Sequence, residues 1–262
     1  MSAPDIPQIV TPVPAATVIL LRDGADDLEV LVLRKASGKH FASGAMVFPG
    51  GKVSDADAAF ADINGAGDGG DPFATLKVAA VREMHEECGI VLARRPGSDA
   101  LLDAADAAAL AGPDGDTPLL DAVAAAGLDL ATDRLVRFAH WVTPESRPKR
   151  FDTHFFIARA PAGQPEPRVD GYEIVEAGWY RPDDILDRVE AGQLKLVLPT
   201  MMNLRKLAQW PDVDAALAHA RRLDVVRVMP RRVDTEDGQH LEIPAEAGYG
   251  VTVIPADMLR QS

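Results

Sequence analysis

The sequence predicts an α+β fold, a mixed β-sheet sandwiched between helices. Three observations predict it. Short apolar, strand-like runs alternate along the chain with segments of helical period. No internal repeat is visible, which argues against a solenoid or propeller. Hydrophobic residues make up 47% of the 262 positions, an ordinary globular share that permits a proper core.

The elements follow in order. Residues 1–14 are Pro-rich and read as a flexible lead-in, without the basic and apolar regions of a secretory signal. Ala15 to Leu21 (AATVILL) and Leu28 to Leu33 (LEVLVL) read as strands joined by the turn-rich RDGADD, a β-hairpin. Phe41 to Phe48 leads into a tight turn at Pro49-Gly50-Gly51. Residues 58–71 are rich in Gly and Asp and read as a loop. Asp71 as N-cap and Pro72 at the first helical position open a helix expected over Pro72 to Cys88. Its stripe Phe73, Lys77, Ala80, Met84 and Cys88 should face the core, and Gly89 should stop it. The Ala-rich stretch Leu101 to Leu130, broken at Gly112-Pro113-Asp114-Gly115, predicts two short helices. Strands are expected at Leu135 to Val142, Phe151 to Ala158 and about Ala177 to Tyr180. Pro182 to Ala191 and Pro199 to Trp210 read as helices. Residues 15–262 are expected to form one domain with insertions at about 58–71 and 95–130.

Composition removes several function classes. No run reaches the roughly 18 apolar residues that a membrane span needs. The single cysteine, Cys88, rules out an internal disulfide and makes a reducing cytoplasm the default compartment. A net charge of −13 repels nucleic-acid backbones. A small anionic substrate stays compatible, because it needs only a local patch of cations or a metal.

The chemistry concentrates in Arg82-Glu83-Met84-His85-Glu86-Glu87-Cys88-Gly89-Ile90. Helical spacing puts Glu83, Glu86 and Glu87 on one face, where like charges repel by a few tenths of a kcal/mol per pair. A hard divalent cation offsets that repulsion, and Mg²⁺ prefers such oxygen ligands while keeping waters for exchange. Met84 and Cys88 anchor the opposite face. Cys88 lies on the core stripe without a companion base, so it reads as a buried small side chain. His85 lies off the carboxylate face and reads as structural.

This segment resembles the second half of the Nudix box, Arg-Glu-apolar-x-Glu-Glu-x-Gly-apolar. Phe48-Pro49-Gly50-Gly51 resembles the turn that opens the box. Five residues after Gly51 stand before Asp57, where the family has Glu. The chain departs in spacing: residues 58–81 separate Asp57 from Arg82, where the family has seven residues. Whether Asp57 reaches Arg82 is therefore open. The resemblance implies a Nudix fold and a hydrolase that uses Mg²⁺ or Mn²⁺ to cut a phosphoanhydride. It implies Glu86 and Glu87 as main metal ligands, Glu83 as a further ligand or the base, and Arg82 as the residue fixing a glutamate. It also implies Gly50 and Gly51 as backbone contacts to metal or phosphates. A further acid is expected from a later loop, with Glu173 and Glu176 as candidates.

Upstream, LVLRKASGKHFASGAMVFPGG keeps the spacing of the coenzyme A-cleaving signature through Leu31, Lys35, Ala36, His40, Gly44 and Phe48. It departs at Leu33, Lys35 and His40, where that signature has Thr, Arg and Arg. The box insertion and Leu198-Pro199-Thr200-Met201-Met202-Asn203-Leu204-Arg205 are similar to the peroxisomal-type (acyl-)CoA diphosphatase branch. Trp141 to Glu145, followed by Arg147, Lys149, Arg150 and Phe151, is similar too. On this resemblance Lys35, His40, Arg147 and Arg150 are expected to grip substrate phosphates. Three functions stay open: CoA or acyl-CoA diphosphatase, ADP-ribose or NADH pyrophosphatase, and a non-catalytic nucleotide-binding module. Two roles are open to the Ala-rich insertion, a lid over the pocket or a contact in a homodimer.

Overall fold

The first strand is apolar at almost every position because both faces of the sheet are covered. The computed structural model describes residues 9–25, 27–38, 42–63, 70–110, 118–164, 166–169, 171–236 and 238–255. Strands β1 (Val13–Asp23) and β2 (Leu28–Lys35) form the expected antiparallel hairpin, with Leu21 opposite Val30. β1 already begins at Val13, inside the expected lead-in. β3 (Met46–Val47) and β4 (Gly50–Lys52) flank Phe48-Pro49, followed by helices α1 (Asp55–Ala61) and α2 (Ala74–Cys88). β5 (Ala93–Arg94), α3 (Ala104–Ala109), α4 (Leu119–Ala125) and β6 (Asp129–Leu130) make up the Ala-rich region. Its two helices are as expected, and the predicted break at 112–115 lies outside the described residues.

β7 (Val136–Val142), β8 (Phe151–Arg159) and β9 (Ile174–Tyr180) complete most of the main sheet. Helices α5 (Pro182–Glu190), α6 (Leu198–Leu207) and α7 (Val213–Ala220) follow. β10 (Arg227–Val228) joins the main sheet, and β11 (Arg231–Thr235), β12 (Gly238–Glu242) and β13 (Val253–Ile254) form a small separate sheet.

The main sheet runs β10-β7-β8-β1-β2-β3, with β4 also on β1 and β9 also on β2. β1 and β8 are parallel, as are β7 and β10, while β1–β2, β1–β4 and β7–β8 are antiparallel. The sheet is therefore mixed. On one face Ala16, Val18, Leu20, Leu31, Leu33 and Phe156 pack against Ala80, Met84 and Cys88 of α2. On the other, Ile19, Leu21, Val30, Val32 and Ile157 pack against Ile185, Met201, Leu204 and Leu217 of α5, α6 and α7. Period-two alternation thus sends apolar groups to both sides, which is why the strands read as continuous apolar runs. No described helix is long and apolar enough to cross a membrane.

Two local expectations are corrected. Residues 58–61, expected as loop, continue α1. Ser54 and Asp57 form a reciprocal capping box there, and the run Ala58-Ala59-Phe60-Ala61 carries no helix breaker. α2 starts at Ala74 with Phe73 as N-cap, not at Pro72. Asp71 still caps, one turn earlier: its side chain accepts from the Phe73 N–H at 2.9 Å and its carbonyl from the Ala74 N–H at 3.0 Å. Gly89 ends the helix as expected, in the left-handed conformation at φ 75°.

Candidate active site

α2 carries three glutamates on the face turned to the β4 turn, while Ala80, Met84 and Cys88 bury the other. Arg82 organises the acids. Its Nε and Nη2 donate to both oxygens of Asp57, at 2.7 and 2.8 Å. Its Nη1 donates to Glu83 at 2.9 Å and Glu86 at 3.0 Å, and Nη2 also reaches the Lys52 carbonyl at 3.0 Å. The planar fork of arginine suits this role, since one guanidinium holds three carboxylates in fixed directions. Asp57 does reach Arg82 despite the insertion. It is fully buried and also accepts from the Ser54 N–H and hydroxyl, at 2.7 and 2.8 Å. The α1 capping box and the arginine brace are thus one carboxylate. Ser54-Asp55-Ala56-Asp57 carried the signal, a capping-box variant with Asp in place of Glu.

The glycine turn meets the same face. The Gly50 N–H donates to Glu87 Oε2 at 2.8 Å. Gly51 pairs with Ala16 of β1, and a Cβ on Gly51 would collide with the Glu83 carboxylate. A Cβ on Gly50 would collide with the Ala16 carbonyl and lie 2.7 Å from the Thr17 Cα. The two glycines therefore differ: one makes room for a neighbouring strand, the other for the Glu83 carboxylate.

Burial sets the electrostatics. Glu87 is 10% exposed, and burial pushes its carboxyl up to about 8, against the Gly50 N–H and Lys35, which favour the charged form. Glu83 is also raised by burial, with Arg82 opposing and Glu86 adding to the rise. Arg82 is held charged, mainly by its bond to Asp57. Lys35 links two acids from different elements: its Nζ lies 3.8 Å from Glu87 Oε1 and 3.0 Å from Glu173 Oε1. Two half-buried carboxylates beside the exposed Glu86, mutually repelling, are a donor set that a hard divalent cation relieves, so Glu83, Glu86 and Glu87 fit such an ion.

The other expected site residues divide. Glu173 comes to the site through Lys35, whereas Glu176 is taken by Arg34 at 2.7 Å and Tyr180 at 2.9 Å. Arg150 does not fit a substrate-gripping role. It is buried, donating to the carbonyls of Val10 at 2.7 Å and Thr143 at 3.0 Å. It lies just before β8, where its two bonds to backbone carbonyls secure the segment leading into β1. Arg147 is exposed in the β7–β8 turn. His40 lies outside the described residues. Cys88 is buried, its thiol donating to the Met84 carbonyl at 3.0 Å and pushed up to about 12 by burial, which fits the structural reading. His85 is lowered by burial and by Arg168.

No family model matches the chain. It is 31% identical over 188 residues to "Putative nudix hydrolase 7" of Caenorhabditis elegans, covering 71% of this chain and 57% of that protein. It is 24% identical over 241 residues to "Acyl-coenzyme A diphosphatase NUDT19" of Gallus gallus, covering 73% of this chain and 64% of that protein. The chain thus spans about three-fifths of the length of these relatives. Its structure matches the crystal structure of a Nudix hydrolase from Alicyclobacillus acidocaldarius with TM-score 0.67 and 33% identity, over 80% of this chain and 97% of that one. With the box carboxylates, their arginine brace and the glycine turn brought together as above, and with nearly the whole of a solved member matched, this chain belongs to the Nudix hydrolase family.

Proposed function

We propose that the chain hydrolyses the phosphoanhydride of a nucleoside diphosphate derivative in the presence of Mg²⁺ or Mn²⁺. The substrate we favour is CoA or acyl-CoA, split to 3′,5′-ADP and (acyl-)phosphopantetheine. The observation that carries the hydrolase reading is the convergence of Glu83, Glu86 and Glu87 beside Gly50-Gly51 under one arginine. A bound divalent ion would neutralise phosphate oxygens and supply an activated water there. Glu86 and Glu87 would hold it, with Glu83 as further ligand or base. Arg82 keeps the glutamates aimed, and Gly50-Gly51 leaves the approach open. Glu173, held by Lys35, is the acid that the β9 side would contribute.

The CoA assignment has separate support. The Gallus gallus relative is named an acyl-coenzyme A diphosphatase. Lys35, a cation at a signature position, stands 3.8 Å from Glu87, where an incoming phosphate oxygen would meet it. One observation favours a second reading: Arg150 is buried and bonded to backbone carbonyls, which leaves fewer cations for a 3′-phosphate. Hydrolysis of ADP-ribose or NADH is that reading.

A substrate panel with Mg²⁺ and Mn²⁺ tests both. Release of 3′,5′-ADP from CoA is expected, and abolished turnover in Glu86→Gln/Glu87→Gln. Cleavage of ADP-ribose with CoA left intact would replace the CoA reading. Inactivity across the panel with tight binding of one nucleotide would replace the hydrolase reading with a binding module.

A further inference from the structure

Away from the box, β7 and β8 bring His140, Asp152 and His154 together. We propose that these three side chains form a second metal site, for a divalent transition ion of the zinc class, separate from the glutamates of α2.

The geometry begins with strand register. His140 and His154 are directly opposite in the antiparallel β7–β8 pair, and Asp152 precedes His154 by two residues, so all three share a sheet face. The imidazoles stack with centroids 4.0 Å apart and planes 18° apart. His140 Nε2 is 2.6 Å and His154 Nε2 3.9 Å from the same oxygen, Asp152 Oδ1. One ligand atom from each residue lies within 4.8 Å of the others. A tetrahedral ion with bonds of about 2.05 Å sets its ligand atoms roughly 3.3 Å apart. Binding would require the stacked rings to turn so that both lone pairs converge on one point, with the short contact opening and the long one closing. Asp152 is 33% exposed, which gives an ion a way in.

A second observation points to a ligand. Among the described residues the buried Nδ1 of His154 has no hydrogen bond, and its Nε2, the nitrogen nearer Asp152, stands 3.9 Å from Asp152 Oδ1, beyond hydrogen-bond reach. Buried polar atoms are normally satisfied, and an orphan invites an ion or a water. Arg137 opposes a cation here. Its guanidinium stacks 3.9 Å above the Phe73 ring, which in turn lies 5.5 Å from His154. Asp71 and Asp224 counter its charge.

Donor chemistry separates the two sites. Two imidazoles and one carboxylate suit zinc and its neighbours, whereas the oxygen-only face of α2 suits magnesium and manganese. They are also apart in space. His154 pairs with Ala16, and Ala16 pairs with Gly51 on its other edge, two strand spacings or about 10 Å in all.

The test titrates the chelator-stripped full chain with Zn²⁺ by calorimetry, in a large excess of Mg²⁺ that fills the oxygen site. One Zn²⁺ per chain is expected. His140→Gln and His154→Gln should each weaken it at least about tenfold. Asp152→Asn, close to isosteric and so safer for folding, should weaken it too, while Glu86→Gln/Glu87→Gln should leave it unchanged. Co²⁺ loaded the same way should give a visible absorption band that the histidine variants lose. Absence of Zn²⁺ uptake under Mg²⁺, uptake indifferent to all three triad variants, or uptake abolished by the glutamate pair would each overturn the proposal.

Discussion

Arg82 and Asp57 meet as a two-pronged pair, with contacts of 2.7 and 2.8 Å, across 25 positions of sequence. The pair is buried on the Asp57 side and hinges α1 to α2. Losing the Asp57 charge leaves Arg82 with only the two more exposed glutamates, and breaking a buried pair costs about 3 kcal/mol. Asp57→Asn should therefore lower stability in urea denaturation by about 2–4 kcal/mol and cut turnover at least about tenfold. Ser54→Ala, which removes the cap and one neutral hydrogen bond to Asp57 but keeps the Asp57–Arg82 pair, should cost about 1 kcal/mol and leave turnover near wild type. Equal effects of the two variants on turnover would show that Asp57 acts only as a cap.

Gly51→Ala places a methyl group where the Glu83 carboxylate lies. A side chain can swing aside more cheaply than a backbone, so melting temperature should change little while turnover falls at least about tenfold. Gly50→Ala meets the Ala16 carbonyl and the Thr17 backbone instead. It should destabilise the fold by more than about 1 kcal/mol. Scanning calorimetry beside initial rates separates the two, and a Gly51→Ala enzyme with full activity would remove Glu83 from the reacting geometry.

Arg150→Ala tests whether that arginine belongs to the scaffold. Its guanidinium serves the carbonyls of Val10 and Thr143 and comes within 3.6 Å of Met229 Sδ. Leaving buried acceptors unpaired costs about 1–3 kcal/mol. Stability should fall by that amount with the Michaelis constant of the folded enzyme unchanged. A raised Michaelis constant at normal stability would return Arg150 to the substrate.

Lys206 is 5% exposed on α6, donating to the Ala247 carbonyl at 3.3 Å, and its ammonium lies 5.0 Å from the Phe138 ring and 5.1 Å from the Tyr249 ring. Burial lowers it from 10.5 to about 8. Below pH 8 both folded and unfolded chains hold this proton, and the buried charge costs stability. Between pH 8 and 10.5 the unfolded chain holds more of the proton, so this group makes stability rise with pH. Lys206→Met should stabilise the protein at pH 7 by about 1–3 kcal/mol and flatten that rise. A destabilised methionine variant would mean that the aromatic and carbonyl contacts outweigh desolvation.

The sequence was most readable where local chemistry and global fold agree. The β1–β2 hairpin, α2 with its Gly89 stop, and the two helices α3 and α4 follow from periodicity and turn residues. The glutamate face follows from helical spacing alone. What escaped depends on contacts between distant segments. That Asp57 reaches Arg82 depends on α1 packing beside α2, which no local pattern encodes. Arg150 looked like part of a cationic cluster because burial cannot be read from neighbouring Arg and Lys residues. The meeting of His140 with His154 is a matter of register between two strands separated by a turn. Only the Asp152–His154 alternation hinted at it.

Ala16 has a glycine abreast of it on one edge and a histidine on the other. It is wholly buried, and its methyl points toward α2. The residues proposed to hold the two cations therefore flank one shared position. A larger side chain there, Ala16→Val for example, is expected to press on both flanks, so that turnover and Zn²⁺ uptake change together.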